Sequence, residues 1–213
     1  MLSKTEIMST DKKEHIISSA IELFAERGFE GTSIRDLAAK ADVNIAMVNY
    51  YFGSKYKLFE AMVVQKASYM REKLEEIAND KSKSEIEKMD TVIEAYVNRI
   101  LSQHQYHRII HQELMLKQRE EVHNSIISIF SKNTLIIKSI IEQGIKKKVF
   151  KKVDPELTFA TILGTINQVM LSKGMCNLLI NKDENFNPYT DESFKKRIIT
   201  HLKQIIHSLL LQH

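Results

Sequence analysis

The sequence is poor in residues that interrupt or cross-link secondary structure. Its 213 residues include six Gly, two Pro, one Cys and no Trp. A single cysteine, Cys176, excludes a disulfide within the chain and fits a reducing compartment. Its expected role is that of a small buried apolar residue. With 43% hydrophobic residues and few helix breakers, the composition predicts a mainly helical protein of one or two domains with an ample core.

Long apolar runs and strand-like segments are missing too. No segment approaches the roughly 18 uninterrupted apolar residues of a membrane span. The first ten residues contain no apolar stretch of signal-peptide length. We therefore expect a cytoplasmic protein. Because nothing resembles a run of strand, we predict an all-α fold.

Sequence signatures of catalysis are equally absent. The chain contains no nucleophile elbow, no glycine loop that could cradle a phosphate, no specific metal-ligand signature and no paired-carboxylate motif. No catalytic residue and no cofactor is predicted. A small helical enzyme or carrier remains the alternative to a binding protein.

Positive charge is in modest excess and is unevenly distributed. The formal net charge is +4 and the isoelectric point is about 9.0, a bias often seen in proteins that bind nucleic acid or anionic surfaces. Residues 1–60 carry eight Lys and Arg against nine Asp and Glu, so the excess lies in the rest of the chain. Phosphate attraction near the N-terminus must therefore come from a local face and from helix N-termini. The candidate side chains are Lys4, Lys12, Lys13, Lys55 and Lys57.

Two short helices joined by a tight turn are predicted in the segment TSIRDLAAKADVNIAMVNYYFGSKYKLF, residues 32–59. Thr32 or Ser33 can cap the first helix, and Asp36, three residues after Ser33, is in capping-box position. A turn at Asp42 follows, and the second helix covers residues 46–52. Two helices in this arrangement are typical of a helix-turn-helix, in which the second helix lies in the major groove of DNA.

The second helix presents polar and aromatic side chains. Val48 and Phe52, four residues apart, supply its buried stripe, so the other positions face outward. An Asn side chain can pair with adenine through two hydrogen bonds, and Tyr and Lys can reach phosphate oxygens. An ordinary helical corner with solvated polar residues fits the same spacing, so both interpretations stay open at this point.

This segment resembles the tetracycline-repressor-type (TetR) regulators. The residues that match the gapped pattern of the family are Thr32, Leu37, Ala38, Ala41, Asp42, Val43, Asn44, Ala46, Val48, Asn49, Tyr50, Tyr51, Phe52, Ser54, Lys55 and Leu58. The preceding helix agrees, because its apolar face is followed by Gly28 and Phe29 as a C-terminal cap. The motif covers about the first quarter of the chain, and the remainder resembles the family in length and helical character.

The resemblance implies an N-terminal three-helix DNA-binding domain, residues 1–56, and a C-terminal helical domain for effector binding and dimerisation, residues 57–213. It implies a ligand-responsive regulator, a repressor that binds a pseudo-palindromic double-stranded DNA operator as a homodimer and is released by a small effector. Because the central apolar helices carry no clustered charge, we expect that effector to be largely apolar. The residues expected at the DNA are Thr32, Ser33, Asn44, Ile45, Ala46, Asn49, Tyr50, Tyr51 and Lys55. Positions that differ from the residues common in the family, and so prevent transfer of a known operator sequence, are Asn44, Ile45, Asn49 and Tyr56.

Further helices are predicted from the apolar periodicity beyond the motif. They cover residues 57–78, 85–102, 106–117 and 121–148, with a small hinge near Gln118. Asp154 and Pro155 open another helix that ends near Leu179. A polar loop covers residues 181–190, and the last helix covers residues 191–211.

Self-association is expected on the last two helices. Ala160 and Gly164 form a shallow groove, and the final helix carries an apolar seam close to heptad spacing. The residues of the seam are Phe194, Ile198, Leu202, Ile205 and Leu209. Both faces could be internal core. The resemblance favours a dimer, because in the family the last two helices of each subunit form a four-helix interface.

Large or polar side chains within the central helices are candidates for effector contact. They are Tyr96, His107, His111, Met115, Phe130 and Gln168. His104, His107 and His111 can lie near one helix face, as metal ligands would. Glu113 is off that face and no Cys cluster accompanies the histidines, so we interpret them as surface or pocket residues and predict no metal.

Overall fold

The computed structural model describes residues 4–116 and 119–211, with side chains from residue 11 onward. Within these ranges the chain is helical and contains no strand, which confirms the all-α prediction. No described helix is both long enough and apolar enough to cross a bilayer. The helices are α1 (Lys4–Arg27), α2 (Ile34–Lys40), α3 (Ile45–Phe52), α4 (Lys55–Asn79), α5 (Glu85–Ser102), α6 (His104–Leu116), α7 (Glu120–Lys146), α8 (Pro155–Leu171), α9 (Lys173–Leu179) and α10 (Glu192–Leu210). The hinge predicted near Gln118 lies outside the described residues.

The described chain forms two compact units. The head unit comprises the residues up to Ser68 together with Arg108–Ile129, and the body unit comprises Tyr69–His107 together with the residues from Phe130 onward. The division falls inside α4, α6 and α7. Each of these three helices therefore contributes residues to both units.

Local hydrogen bonds set the ends of the short helices in the head unit. At Gly28 the backbone adopts φ 72° and its N–H donates to the Phe24 carbonyl at 2.9 Å, which ends α1. Ser33 caps α2, and Asp36 completes the predicted capping box. Gly53, at φ 74°, closes α3. Each of these ends follows from a residue whose backbone or side chain is suited to that position.

An aromatic cluster forms the core beneath the short helices. The ring centroids of Phe24 and Phe29 are 5.3 Å apart, and those of Phe29 and Phe59 are 5.5 Å apart in an edge-to-face arrangement. Val48 and Phe52 of α3 are buried, as their spacing predicts. The cluster thus brings together α1, the turn after it, and α4.

The body unit is built around the packing of α5, α8 and α10. Ser84 and Glu87 form a second capping box at the start of α5. The His207 Nε2 atom of α10 lies 2.7 Å from the Asp90 carboxylate of α5, and the Lys203 ammonium donates to Glu94 at 2.6 Å. These contacts run alongside an apolar core in which Leu202 is fully buried.

One predicted helix is divided into two. The segment expected to continue from Pro155 to about Leu179 breaks at Ser172, whose backbone is extended at φ −146° and ψ 113°. The Ser172 hydroxyl accepts a hydrogen bond from the Met175 N–H at 3.3 Å and so starts α9. Cys176 of α9 is buried, and burial raises the pKa of its thiol.

Gly144 near the end of α7 offers a test of this packing. A Cβ atom at this position would lie 2.1 Å from Cδ2 of the buried Phe150 ring. We expect Gly144→Ala to lower the free energy of unfolding by about 1 to 3 kcal/mol, because the ring must move. Urea unfolding followed by circular dichroism measures the change.

The matched control is Gly174→Ala in α9, where a Cβ atom meets nothing within 4 Å. Without a clash, Ala is expected to stabilise that helix by a few tenths of a kcal/mol up to about 1 kcal/mol. Equal effects of the two substitutions on the unfolding midpoint would contradict the packing described for Phe150.

Candidate nucleic-acid interface

The outward face of α3 is held by a side-chain cap at its start. The Asn44 Oδ1 atom accepts a hydrogen bond from the Met47 N–H at 2.7 Å. Tyr50 is 83% exposed, and its ring meets that of Tyr51 edge-to-face at 5.3 Å. Asn49 is exposed as well. The helix therefore presents an amide and a phenol to solvent while Val48 and Phe52 anchor it from below.

The predicted DNA-contacting residues differ in their exposure. Six are exposed: Ser33, Asn44, Ile45, Ala46, Asn49 and Tyr50. Tyr51 and Lys55 are half-buried, and Thr32 is buried. The structure thus brings most of this set to one short helix and the residue just before it, and it withdraws three polar members wholly or partly from solvent.

Thr32 and Lys55 make contacts inside the head unit. The Thr32 hydroxyl donates to the Gly28 carbonyl at 2.8 Å. The Lys55 ammonium donates to the carbonyls of Phe29 and Thr32 at 2.8 and 2.9 Å and lies 4.3 Å from the centroid of the Phe29 ring. Both side chains fix the turn between α1 and α2, a role that the sequence pattern did not reveal.

The cap of α2 has an electrostatic consequence. The Ser33 hydroxyl and backbone N–H both donate to the Asp36 carboxylate, and these two hydrogen bonds lower the pKa of that carboxyl group. Asp36 thus carries a negative charge in the first turn of α2, where the helix dipole favours an anion. A phosphate could not bind at this helix N-terminus without meeting that charge.

Arg35 is an exposed cation that sequence reasoning missed. It occupies the second position of α2, between the half-buried Ile34 and the capping Asp36. Its position two residues before the buried Leu37, on a different side of the helix, was the available signal. Lys12, Lys13 and Lys57, which were predicted, are exposed, whereas the side chain of Lys4 lies outside the described part of the chain.

The predicted effector contacts are not gathered in one unit. His111 and Met115 belong to the head unit, and Met115 is 80% exposed. Tyr96 is buried in the body unit, where its ring meets that of Phe159 edge-to-face at 5.3 Å. The other three also belong to the body unit: His107 and Phe130 are half-buried, and Gln168 is exposed on α8.

The histidines of α6 have separate neighbours. The His104 ring stacks on Tyr189 with centroids 3.9 Å apart, while the His107 ring meets Tyr106 edge-to-face at 5.0 Å. Within the described residues no three His, Cys, Asp or Glu side chains converge as metal ligands would.

The candidate dimer residues divide between core and surface. Phe194, Ile198 and Leu202 pack in the core of the body unit, so these three members of the predicted seam are buried by their own chain. Ile205 is half-buried and Leu209 is 39% exposed. An apolar repeat marks a buried face without identifying what buries it, which explains this correction.

The outward face of α8 carries the other predicted pair. Ala160 and Gly164 are exposed, and two apolar side chains lie on the same helix, with Leu157 66% and Leu171 42% exposed. Beside this face runs an open groove lined by Thr165, Leu179, Ile180, Phe194, Arg197, Ile198, Thr200, His201 and Gln204. A shallow, small-residue surface next to an open groove is suited to close approach by another helix.

Two family models match the chain. Residues 16–62 match the model "Bacterial regulatory proteins, tetR family". Residues 82–171 match the model "Tetracyclin repressor-like, C-terminal domain". The first match covers α2 and α3 completely, and the second covers α5, α6, α7 and α8.

Similar proteins of known sequence or structure include three from Bacillus subtilis. The "Probable HTH-type transcriptional regulator YttP" is 30% identical over 146 residues, 67% of this chain and 69% of that protein. The "Fatty acid metabolism regulator protein" is 25% identical over 160 residues, 75% of this chain and 81% of that protein. The crystal structure of the transcriptional regulator FadR in complex with stearoyl-CoA has a TM-score of 0.67 at 22% identity and covers 89% of this chain and 96% of that one.

Proposed function

This chain belongs to the tetR family of bacterial regulatory proteins, and on that premise we propose that it represses transcription from a pseudo-palindromic operator. Members of the family are transcriptional regulators, so the chain is a regulator and not an enzyme. The alternative of a small helical enzyme or carrier is wrong. We propose that residues 1–56 bind DNA and that residues 57–213 bind an effector and form a homodimer. Because its partner would be DNA, we propose that the protein acts in the cytoplasm.

The observation that carries this proposal is the exposed amide and phenol row on α3. Asn49 and Tyr50 project from a helix whose start is capped by Asn44 and whose opposite face is buried. The major groove of DNA is wide enough to admit an α-helix such as α3, and an Asn amide on that helix can pair with adenine. Arg35 and Lys57, both exposed, would supply phosphate contacts that carry no sequence information.

We propose that dimerisation uses the outward faces of α8 and α10. Support comes from the small residues Ala160 and Gly164, which are exposed on the same helix as the apolar side chains of Leu157 and Leu171. The apolar groove beside them would accept side chains of a second copy. A homodimer also provides the two-fold symmetry that a pseudo-palindromic operator requires.

For the effector we propose a long-chain fatty acyl compound. The 25%-identical relative is named as a regulator of fatty acid metabolism, and the body unit encloses a core of aliphatic and aromatic side chains. A long apolar chain gains about 0.8 kcal/mol for each buried methylene. Tyr96 and Phe130, both in the body unit, are the predicted contacts with apolar rings suited to such a chain.

The operator can be recovered by selection from a random pool of DNA duplexes. We expect the wild-type protein to enrich a two-fold symmetric sequence. Asn49→Ala should weaken binding to it by about 1 to 3 kcal/mol and relax the preference at one position in each half-site, because the base loses its paired amide. Fluorescence anisotropy with matched and singly substituted duplexes measures both effects.

The matched control is Asn98→Ala, which removes an exposed amide from α5 in the body unit and is expected to leave operator affinity unchanged. Unaltered affinity and base preference in Asn49→Ala would show that α3 does not read the sequence. Failure of the wild-type protein to enrich any sequence would refute the proposed function itself.

The dimer surface is tested by Gly164→Arg. A Cβ atom at Gly164 meets nothing within 4 Å of its own chain, so the folded subunit can accept the larger side chain. At an α8 interface the charged side chain would hold the partner helix away, and we expect monomers in sedimentation velocity and weaker operator binding, since two half-sites are no longer engaged together.

Gln143→Arg, at an exposed position of α7, adds the same charge elsewhere and is expected to leave the dimer intact. A Gly164→Arg protein that still sediments as a dimer would place the interface on another face. A wild-type protein that is monomeric at micromolar concentration, with and without DNA, would exclude the homodimer.

Effector coupling is tested with stearoyl-CoA as the probe. We expect it to bind the free protein more tightly than the operator complex, and the operator to bind the free protein more tightly than the acyl-CoA complex, by the same factor. A hundredfold difference in affinity corresponds to about 2.7 kcal/mol. A ligand with that difference in affinity can change the free energy of operator binding by no more than this amount. Isothermal titrations from both directions measure the two ratios.

Coenzyme A without the acyl chain is the control, because its phosphates alone could compete with DNA. Equal release by coenzyme A and stearoyl-CoA would show charge competition rather than recognition of an apolar chain. Saturable binding of stearoyl-CoA with no change in operator affinity would contradict the proposed coupling.

A further inference from the structure

The segment Arg108–Ile129 lies in the head unit although it comes from the middle of the chain. It contains the end of α6 and the start of α7, and its flanking residues on both sides belong to the body unit. Ser125 of this segment donates a hydrogen bond to the Glu60 carboxylate of α4 at 3.2 Å. Arg119 of this segment makes a larger number of contacts.

Arg119 joins three parts of the head unit. Its guanidinium forms ion pairs with Glu113 of α6 and with Glu30 in the turn after α1. Its Cζ atom lies 4.0 Å from the centroid of the Phe29 ring, a cation–π distance. The side chain of Arg119 is 19% exposed and that of Glu113 is 7% exposed. The planar guanidinium of Arg119 thus contacts two carboxylates and the face of one aromatic ring, and it is largely shielded from water.

Phe29 transmits this contact to the start of α2. Its ring stacks on Phe24, meets Phe59 edge-to-face, and also lies 4.3 Å from the Lys55 ammonium. The next residues along the chain reach Thr32, whose N–H donates to the Phe29 carbonyl at 3.3 Å. A displacement of Phe29 would therefore move the turn from which α2 begins.

We propose that Arg119 is a positioning residue for DNA binding: it holds the Phe29 turn, and with it α2 and α3, in the geometry that fits the operator. The proposal rests on the proposed DNA-binding function and deepens it. Arg119 touches no DNA in this role, because its guanidinium already binds two carboxylates and an aromatic ring. Its effect on affinity comes from preorganisation of the helices that do touch DNA.

The first experiment compares Arg119→Met with wild type. Met keeps an unbranched side chain but lacks the charged guanidinium group and therefore the ion pairs. We expect operator affinity to fall about tenfold, which is roughly 1.4 kcal/mol, with the salt slope of binding unchanged, since no phosphate contact is lost. Lys132→Met, at an exposed position of α7, removes the same charge elsewhere and is expected to keep wild-type affinity.

A second variant separates positioning from stability. Arg119→Met leaves the buried Glu113 carboxylate without its cation, which is expected to destabilise the fold. Adding Glu113→Gln removes that uncompensated charge. We expect the double variant to regain the Tm of wild type and to keep the weakened operator affinity, because the link to Phe29 and Glu30 is still missing.

Three results would overturn the proposal. The first is operator affinity equal to that of Lys132→Met, the second is a salt slope of binding reduced by about one phosphate contact, and the third is operator affinity that recovers together with Tm in the double variant. Where Arg119→Met unfolds, the double variant takes its place in the first two measurements. The first denies any role in binding, the second makes Arg119 a DNA contact, and the third makes it a residue of fold stability alone.

Hydrogen exchange in the free protein keeps this test separate from the proposed function. We expect faster exchange of the Gly28 and Thr32 amides in the double variant than in wild type, with exchange in α10 unchanged. If the wild-type protein selects no DNA sequence, the proposed function fails while this measurement still reports whether Arg119 holds the turn. Unchanged exchange at Gly28 and Thr32 overturns the positioning role by itself.

Discussion

The packing of Phe29 is the contact on which the DNA-reading helices depend. Helices of seven and eight residues, the lengths of α2 and α3, are too short to be stable alone in water. They are held by caps at their ends and by the aromatic cluster beneath them, and Phe29 is the member of that cluster in the turn before α2. Two cations also approach its ring, Lys55 at the start of α4 and Arg119 just before α7. The short helices α2 and α3 are therefore stabilised mainly by contacts with residues outside them.

A consequence is that the polar residues of the motif divide their roles. Asn44 caps α3 and the Lys55 ammonium binds two backbone carbonyls, so both support the helix pair from within. Asn49 and Tyr50 are free of such tasks among the hydrogen bonds described for the head unit and face solvent. A polar atom that is already hydrogen-bonded within the head unit cannot also pair with a base edge without losing its partner. The candidate reading surface is therefore narrower than the motif.

Most of the head could be predicted from sequence because its signals are local. The capping box of Ser33, the glycine at Gly53 and the paired Val48 and Phe52 each act within four residues. The break at Ser172 was missed because Ser and Lys are compatible with a continuing helix, whereas Ser172 adopts an extended backbone and caps α9. The contacts of Arg119 could not be predicted either, since Glu30 lies 89 residues away along the chain.

The α10 seam shows the same limit for an interface. Apolar residues at three- and four-residue steps specify that one face of a helix is buried, and Leu202 is buried by its own chain.

Covalent connectivity then constrains how an effector could act on the head. The segment Arg108–Ile129 belongs to the head unit, while α6 and α7 continue from it into residues of the body unit. An effector changes DNA affinity only if it binds two states of the protein with different affinity, and those states must differ somewhere along these helices or along α4. Since Arg119 ties the segment to the turn that starts α2, a rearrangement that reaches the segment must either break that contact or carry the reading helices with it. Either outcome alters the DNA-binding surface without any change to α3 itself.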